Sequence, residues 1–421
     1  MREPIRPGYD AVVDLFPPKR PSEFVYTLVK RCWDVSTGVC RLIEADPLLH
    51  DIRDPATEYP FMPGSDFRFY KARTDVVILG SVYAPGGLPV HSMEVRALVG
   101  GRDVRVRVTG RRELGWDREG RPVIGAPEPF VEIPLRWENA YGGADQRVPV
   151  DPPLETIEEQ ARLDFDHPGV YPRNPYGKGY VVLPDPIEGV ELPNLEDPDH
   201  LLTSSNLIVH DAARWYLQPR PRAFHWVQPL MFPRYVFMGM DAWFPGPEDD
   251  GMPEVAEGYL ERGYRQAYVE GTPVNLPLVP FFQEACPHLV FDHLEAGTPV
   301  LIQGMSPDGR DLSFQIPPPP RIDIHVEGTV ETVEGRLFNV LIEPDRQQVS
   351  LTYSAIRRDL PRRFVAGVHG HIPVAVPVDG DEPVVYETPP TMRSRLESAQ
   401  ASQGETPGAS NGEAAEEGQP D

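Results

Sequence analysis

Cysteine, positive charge, long apolar runs and intact catalytic signatures are all scarce in this chain, and each scarcity excludes something. Only Cys32, Cys40 and Cys286 occur in 421 residues. Their odd number and the lack of a C-x-x-C spacing exclude a disulfide scaffold and a structural zinc site, so reduced, buried thiols are expected. Lys and Arg number 40 against 64 Asp and Glu, a formal net charge of -24. Such a field repels phosphate backbones and anionic headgroups, so neither nucleic acid nor a membrane is an expected partner. No stretch approaches the ~20 apolar residues of a membrane span. Residues 1–10 also lack the apolar segment of a signal peptide, so a cytoplasmic location is expected.

The familiar catalytic patterns are missing too. There is no G-x-S-x-G and no H-E-x-x-H, and Gly177-Lys178-Gly179 lacks the flanking residues of a phosphate-binding loop. His369-Gly370-His371 and the group Cys286, His288 and His293 carry metal-ligand chemistry, but each reads more simply as structural. Glu132 with Glu138, or Asp164 with Asp166, are the local carboxylate pairs a glycosidase would need. In a chain with 64 acids such pairs arise by chance. No cofactor and no metal is expected, and the protein reads as a non-enzyme.

What the chain has in abundance is proline and glycine, 51 and 36 residues. Together they make roughly a fifth of the sequence, against a usual share of about 12%. Long helices are therefore excluded, while 17 Phe, 16 Tyr and 6 Trp supply a real core. Residues 92–109 predict a hairpin, because Met93, Val95, Ala97 and Val99 alternate, Gly100-Gly101 tolerates positive φ, and Val104, Val106 and Val108 alternate again. Its arginine-rich face should be wet. The run Asp75-Val76-Val77-Ile78-Leu79 predicts a central strand covered on both faces. A second hairpin is predicted around Pro307-Asp308-Gly309, followed by a meander through Ile322, Ile324, Val326, residues 337–342 and residues 349–353. Helical periodicity appears only at residues 153–165 and 253–269.

The expected fold is thus mainly β, with antiparallel, sandwich-like sheets, short helices and long ordered loops. The expected organisation is an extended arm over 1–20, β subdomains over 21–200 and 201–358, a C-terminal extension over 359–388, and a disordered acidic tail over 389–421. From Pro390 onward there are six acids against Arg393 and Arg395, so most of the negative charge stays on the body.

Four turn-rich blocks all carry proline, three of them glycine and three embedded charge: Tyr83-Ala84-Pro85-Gly86-Gly87-Leu88-Pro89-Val90, Pro134-Leu135-Arg136-Trp137-Glu138-Asn139-Ala140-Tyr141-Gly142-Gly143, Asn174-Pro175-Tyr176-Gly177-Lys178-Gly179-Tyr180, and Leu192-Pro193-Asn194-Leu195-Glu196-Asp197-Pro198. Glycine opens backbone conformations closed to other residues and proline fixes its neighbour, so these loops should be rigid. Charges set among aromatics are tolerable there only when paired. Arg136, Trp137, Glu138, Tyr141, Lys178, Glu196 and Asp197 are therefore the candidate loop residues, either for an internal ion network or for a partner.

These blocks, with residues 74–80, 239–245, 304–316 and 341–345, resemble the bacterial family catalogued as domain of unknown function 2169. The resemblance runs from residue 24 to residue 358. Residues 151–169 are longer and more charged than the family pattern, and no counterpart exists beyond residue 358. Members tend to be encoded beside type VI secretion effectors. The resemblance implies an accessory adaptor or chaperone that holds a secreted effector and helps dock it on the VgrG or PAAR spike proteins, and it implies no chemistry. The competing expectation, from the residues alone, is a carbohydrate-binding or carbohydrate-cleaving β protein in which Trp137, Tyr141, Tyr176 and Tyr180 stack on sugars.

Overall fold

β-branched side chains pack well on a pleated surface, and strands whose apolar residues alternate must find a second layer to cover one face. The computed structural model describes residues 10–12, 24–46, 66, 71, 73–145, 147–148, 169–182, 186–208, 215, 217–228, 231, 283–326, 329–358, 363–368 and 374–377. Strands dominate, and no helix of seven residues or more occurs among the described residues. The fold is mainly β, as the composition requires.

The Ser92–Val99 strand pairs with Arg102–Thr109 in an unbroken antiparallel register, closed by Gly100 and Gly101 at φ 54° and 86°. Two left-handed residues in a two-residue loop match the right-handed strand twist. Val95, Ala97, Val99, Val104, Val106 and Val108 are buried, while Arg102, Arg105 and Arg107 are exposed. The second expected hairpin, Pro299–Gln303 with Leu312–Gln315, adds to the first, and Leu195–Glu196 completes a five-stranded antiparallel sheet.

A seven-stranded sheet faces it. Its main path runs Asp10–Val12, Phe24–Asp34, Gln348–Arg358, Arg336–Glu343, Thr74–Ile78, Val290–Phe291, with Arg41–Ile43 pairing on Phe24–Asp34. Every residue of Thr74–Ile78 is buried, and this strand runs parallel to Arg336–Glu343. Val76, Ile78, Val340, Ile342 and Leu351 share one apolar core with Val95, Ala97, Val106, Val300 and Ile302 of the other sheet, so the two sheets form a sandwich.

Each sheet draws strands from both sides of residue 200, so the boundary expected there does not separate the sheets. A core shared between strands distant in sequence leaves no place to cut. A third, four-stranded sheet has the order Thr329–Glu334, Arg321–Val326, Arg363–Val368, Val374–Pro377, so the expected C-terminal extension supplies two of its strands. Of the expected arm, residues 10–12 form the edge strand on Phe24–Asp34. The expected helices at 153–165 and 253–269, Asp164, Asp166, His369, His371 and the tail lie outside the described residues.

Two buried charge networks fasten the seven-stranded sheet. Lys71 Nζ lies 2.7 Å from Asp75 Oδ2 and 3.2 Å from Glu284 Oε2, all three being buried, and Asp75 also accepts hydrogen bonds from Gln283 Nε2 and the Glu284 N–H at 2.6 Å. Lys30 Nζ sits 3.1 Å from Asp66 Oδ2, and the other oxygen of Asp66 accepts from Thr352 Oγ1 at 2.6 Å. Burying a charge without its partner is far costlier than the pair. Lys71→Met is expected to lower stability by about 3–5 kcal/mol. Arg121→Ala, which removes an exposed pair with Asp117, should change it by less than about 0.5 kcal/mol. Urea unfolding of both variants checks this, and equal shifts would contradict it.

Candidate functional site

The chain leaves strand Glu132–Pro134, which pairs with Ser81–Tyr83, makes one tight turn over Trp137–Asn139, and extends through Tyr141–Gly142 alongside Lys178–Gly179 in parallel. Gly142 and Gly143 have φ of 147° and 87°. A Cβ on Gly143 would stand 2.3 Å from the Gly177 carbonyl oxygen, and one on Gly142 2.1 Å from that of Asn174. Only glycine permits this approach of backbone to backbone. Asn174 locks it, donating from Nδ2 to the carbonyls of Trp137 at 2.7 Å and Tyr141 at 3.1 Å.

The same contacts bring the second, third and fourth blocks together. The Lys178 N–H donates to Ala140 O, the Tyr180 N–H to Gly142 O, and the Asn194 N–H to Asn139 O at 2.8 Å. Asn194 Nδ2 bonds the carbonyl of Thr109 at 2.8 Å, where the fourth block joins the five-stranded sheet. The first block is held by the Ala84 N–H to Val131 O at 2.7 Å. Beneath the blocks lies a second apolar cluster including Tyr141, Tyr171, Tyr180, Leu192 and Trp215, with Tyr141 and Tyr171 edge to face at 5.1 Å.

The expected loop residues divide in two. Trp137, Tyr141, Glu196 and Asp197 are buried, and Arg136, Glu138 and Lys178 are partly exposed. The Trp137 indole N–H donates to Trp226 O at 2.8 Å and the Tyr141 hydroxyl to Gln218 Oε1 at 3.4 Å. Glu196 is bound by Arg112 and accepts from the Leu202 N–H at 2.7 Å. Asp197 is bound by Arg222 and accepts from the Asp199 N–H at 3.0 Å. Lys178 Nζ meets Glu191 Oε1 at 2.5 Å. Glu196, Asp197 and Lys178 are paired, as their setting demands, but with Arg112, Arg222 and Glu191. Sequence reasoning missed these, because Arg111-Arg112 and Arg220-Pro221-Arg222 carry no local mark of which arginine turns inward.

Of the four aromatics expected to stack on sugars, Trp137, Tyr141 and Tyr180 are buried, and Tyr176 packs partly buried against the core. Cys286 is buried while His288 and His293 are exposed. No three His, Cys, Asp or Glu side chains converge as a metal cluster among the described residues. Nor, among them, is any helix long and apolar enough to cross a membrane.

What the assembly leaves at the surface is an apolar lobe. Residues 85–89 are exposed, with Leu88 at 71%, and Val131, next to Phe130 of the Val90–Phe130 pairing, is at 44%. Gly86 and Gly87, at φ 63° and 69°, turn the lobe, and the Gly87 N–H closes it onto Ala84 O. Glu128 and Glu132 stand exposed beside it. Below, burial raises the carboxyl of Asp345 and, together with the hydrogen bond to Asp345, pushes the Tyr83 hydroxyl up to about 12.

Burial likewise raises the Glu138 carboxyl, against the opposing effects of its own N–H and Arg136. His225 is driven down to about 4, first by burial and then by the Arg136 charge. Its ring is neutral in the folded protein at pH values where the unfolded chain, with an ordinary imidazole near 6.5, already binds a proton. Its contribution to stability is therefore complete above about pH 6.5 and lost as pH falls toward about 4. His225→Phe should flatten the fall in melting temperature across that window. Parallel curves for the two proteins would contradict this.

No curated protein and no solved structure matches the chain. A family model described as "Uncharacterized protein conserved in bacteria (DUF2169)" matches residues 21–354, spanning the sandwich and all four blocks. The chain belongs to that bacterial family.

Proposed function

We propose that this protein is a non-enzymatic adaptor or chaperone that binds a type VI secretion effector in the cytoplasm and helps load it onto a VgrG or PAAR spike protein. The observation that carries the binding role is the exposure of Leu88 and Val131 on a lobe held by the Ala84–Val131 and Val90–Phe130 backbone pairings. A rigid loop with an apolar tip recognises a protein surface at little cost in ordering. The tie to secretion rests on the order and composition of the blocks that resemble the family. The net charge of -24 suits a basic effector, including one that acts on nucleic acid and must be masked before export.

Co-expression of the tagged protein with the product of the neighbouring effector gene is expected to yield a stoichiometric complex that also solubilises the effector. Its affinity should fall as salt rises from about 50 to about 500 mM. Leu88→Asp combined with Val131→Asp should abolish the complex without changing the melting temperature. Elution of the protein alone, with the neighbour soluble without it, would overturn the reading.

A further inference from the structure

An open sheet edge offers a row of unpaired N–H and C=O groups, and proteins blunt such edges with brevity, proline, lysine, bulges or a covering segment. Most edges of this sandwich are blunted in those ways. Along Leu312–Gln315, the Cys40 thiol donates to Gln315 O at 3.3 Å. Beside Val290–Phe291, the Arg102 guanidinium donates to Val290 O at 2.5 Å. Leu195 of the Leu195–Glu196 edge bridges to Ala140. Asp10–Val12 has only three residues, and Val374–Pro377 is a four-residue strand that ends in proline.

The Thr329–Glu334 strand differs in length, composition and regularity. It forms one edge of the four-stranded sheet, and no other strand pairs with its outer side among the described residues. It has six residues, Thr-Val-Glu-Thr-Val-Glu, with neither proline nor lysine. Its register against Arg321–Val326 is unbroken, so no bulge twists it away. Val330 is 55% exposed, and Glu331 and Glu334 are exposed. Threonine and valine are residues that an added strand pairs with best. Among the described residues, what protects this edge is negative charge, which repels acidic strands and admits basic ones.

We infer that Thr329–Glu334 accepts an added strand from a basic, extended segment of a protein partner. This rests on the protein-binding reading above and gives it a second surface. Main-chain hydrogen bonds would supply affinity, and Glu331 and Glu334, on opposite faces of the strand, would select lysine or arginine three residues apart on an antiparallel partner. A second copy of this chain is the poorer occupant, because it would bring the same acidic strand and the same net charge of -24.

The test uses the full-length protein and a labelled peptide of threonine and valine with lysines three residues apart, read by fluorescence anisotropy. A control peptide keeps the lysines but carries proline at two other positions, preserving charge while preventing strand pairing. The first peptide is expected to bind and to slow hydrogen exchange of backbone amides within residues 329–334, and the control to do neither. Glu331→Gln with Glu334→Gln should weaken binding by about tenfold. Equal binding of both peptides, protection confined to another segment, or a dimer that protects these amides without peptide would each overturn the inference. Effector capture separates the two readings. A captured effector with no peptide binding overturns the edge alone, whereas peptide binding without effector capture overturns the adaptor reading alone.

Discussion

Two consecutive buried acids, Glu196 and Asp197, set the terms for the loop layer. A carboxylate removed from water must meet a cation and hydrogen-bond donors, or it costs several kcal/mol. Glu196 takes Arg112 and the Leu202 N–H, while Asp197 takes Arg222 and the Asp199 N–H. Arg112 follows the Arg102–Thr109 strand of the five-stranded sheet. Arg222 lies two residues before Phe224, whose carbonyl accepts from the N–H of Ile78 on the Thr74–Ile78 strand of the other sheet. One dipeptide therefore ties the loops to both layers of the sandwich. The Lys71, Asp75 and Glu284 network repeats this logic where residues 283–284 meet the same strand.

With those charges satisfied, the loops behave as a third layer with its own apolar filling of Tyr141, Tyr171, Tyr180 and Trp215. Recognition by such a layer falls to what is left over at its surface. In the proposed reading, the Leu88–Val131 lobe contributes shape, the open acidic edge contributes main-chain pairing, and the overall charge biases both toward basic partners. The interior charges that looked suited to a ligand are occupied with holding the scaffold.

The sequence exposed what is local. Alternating valines around Gly100-Gly101 specify a hairpin and its dry face, and the continuous run from Asp75 specifies a strand covered on both sides. Glycine and proline marked the second and third blocks, and the close backbone approach at Gly142, Gly143 and Gly177 is the physical reason. What stayed hidden is non-local. Arg112 meets Glu196 across 84 residues and Arg222 meets Asp197 across 25, and no composition signal spans such distances. The interleaving of both sheets across residue 200 was equally silent, because strand order depends on which faces find each other. Trp137 and Tyr180 read as surface aromatics until their place in the interior was seen.

The central claim is that the paired acids hold the loop layer as one unit. Hydrogen exchange on a Glu196→Gln, Asp197→Asn double variant tests it most directly. The account predicts concerted loss of protection across residues 134–143, 174–180 and 192–203, with the Ser92–Val99 and Arg336–Glu343 strands still protected. Loss confined to residues 195–203, with the other two blocks unchanged, would contradict it.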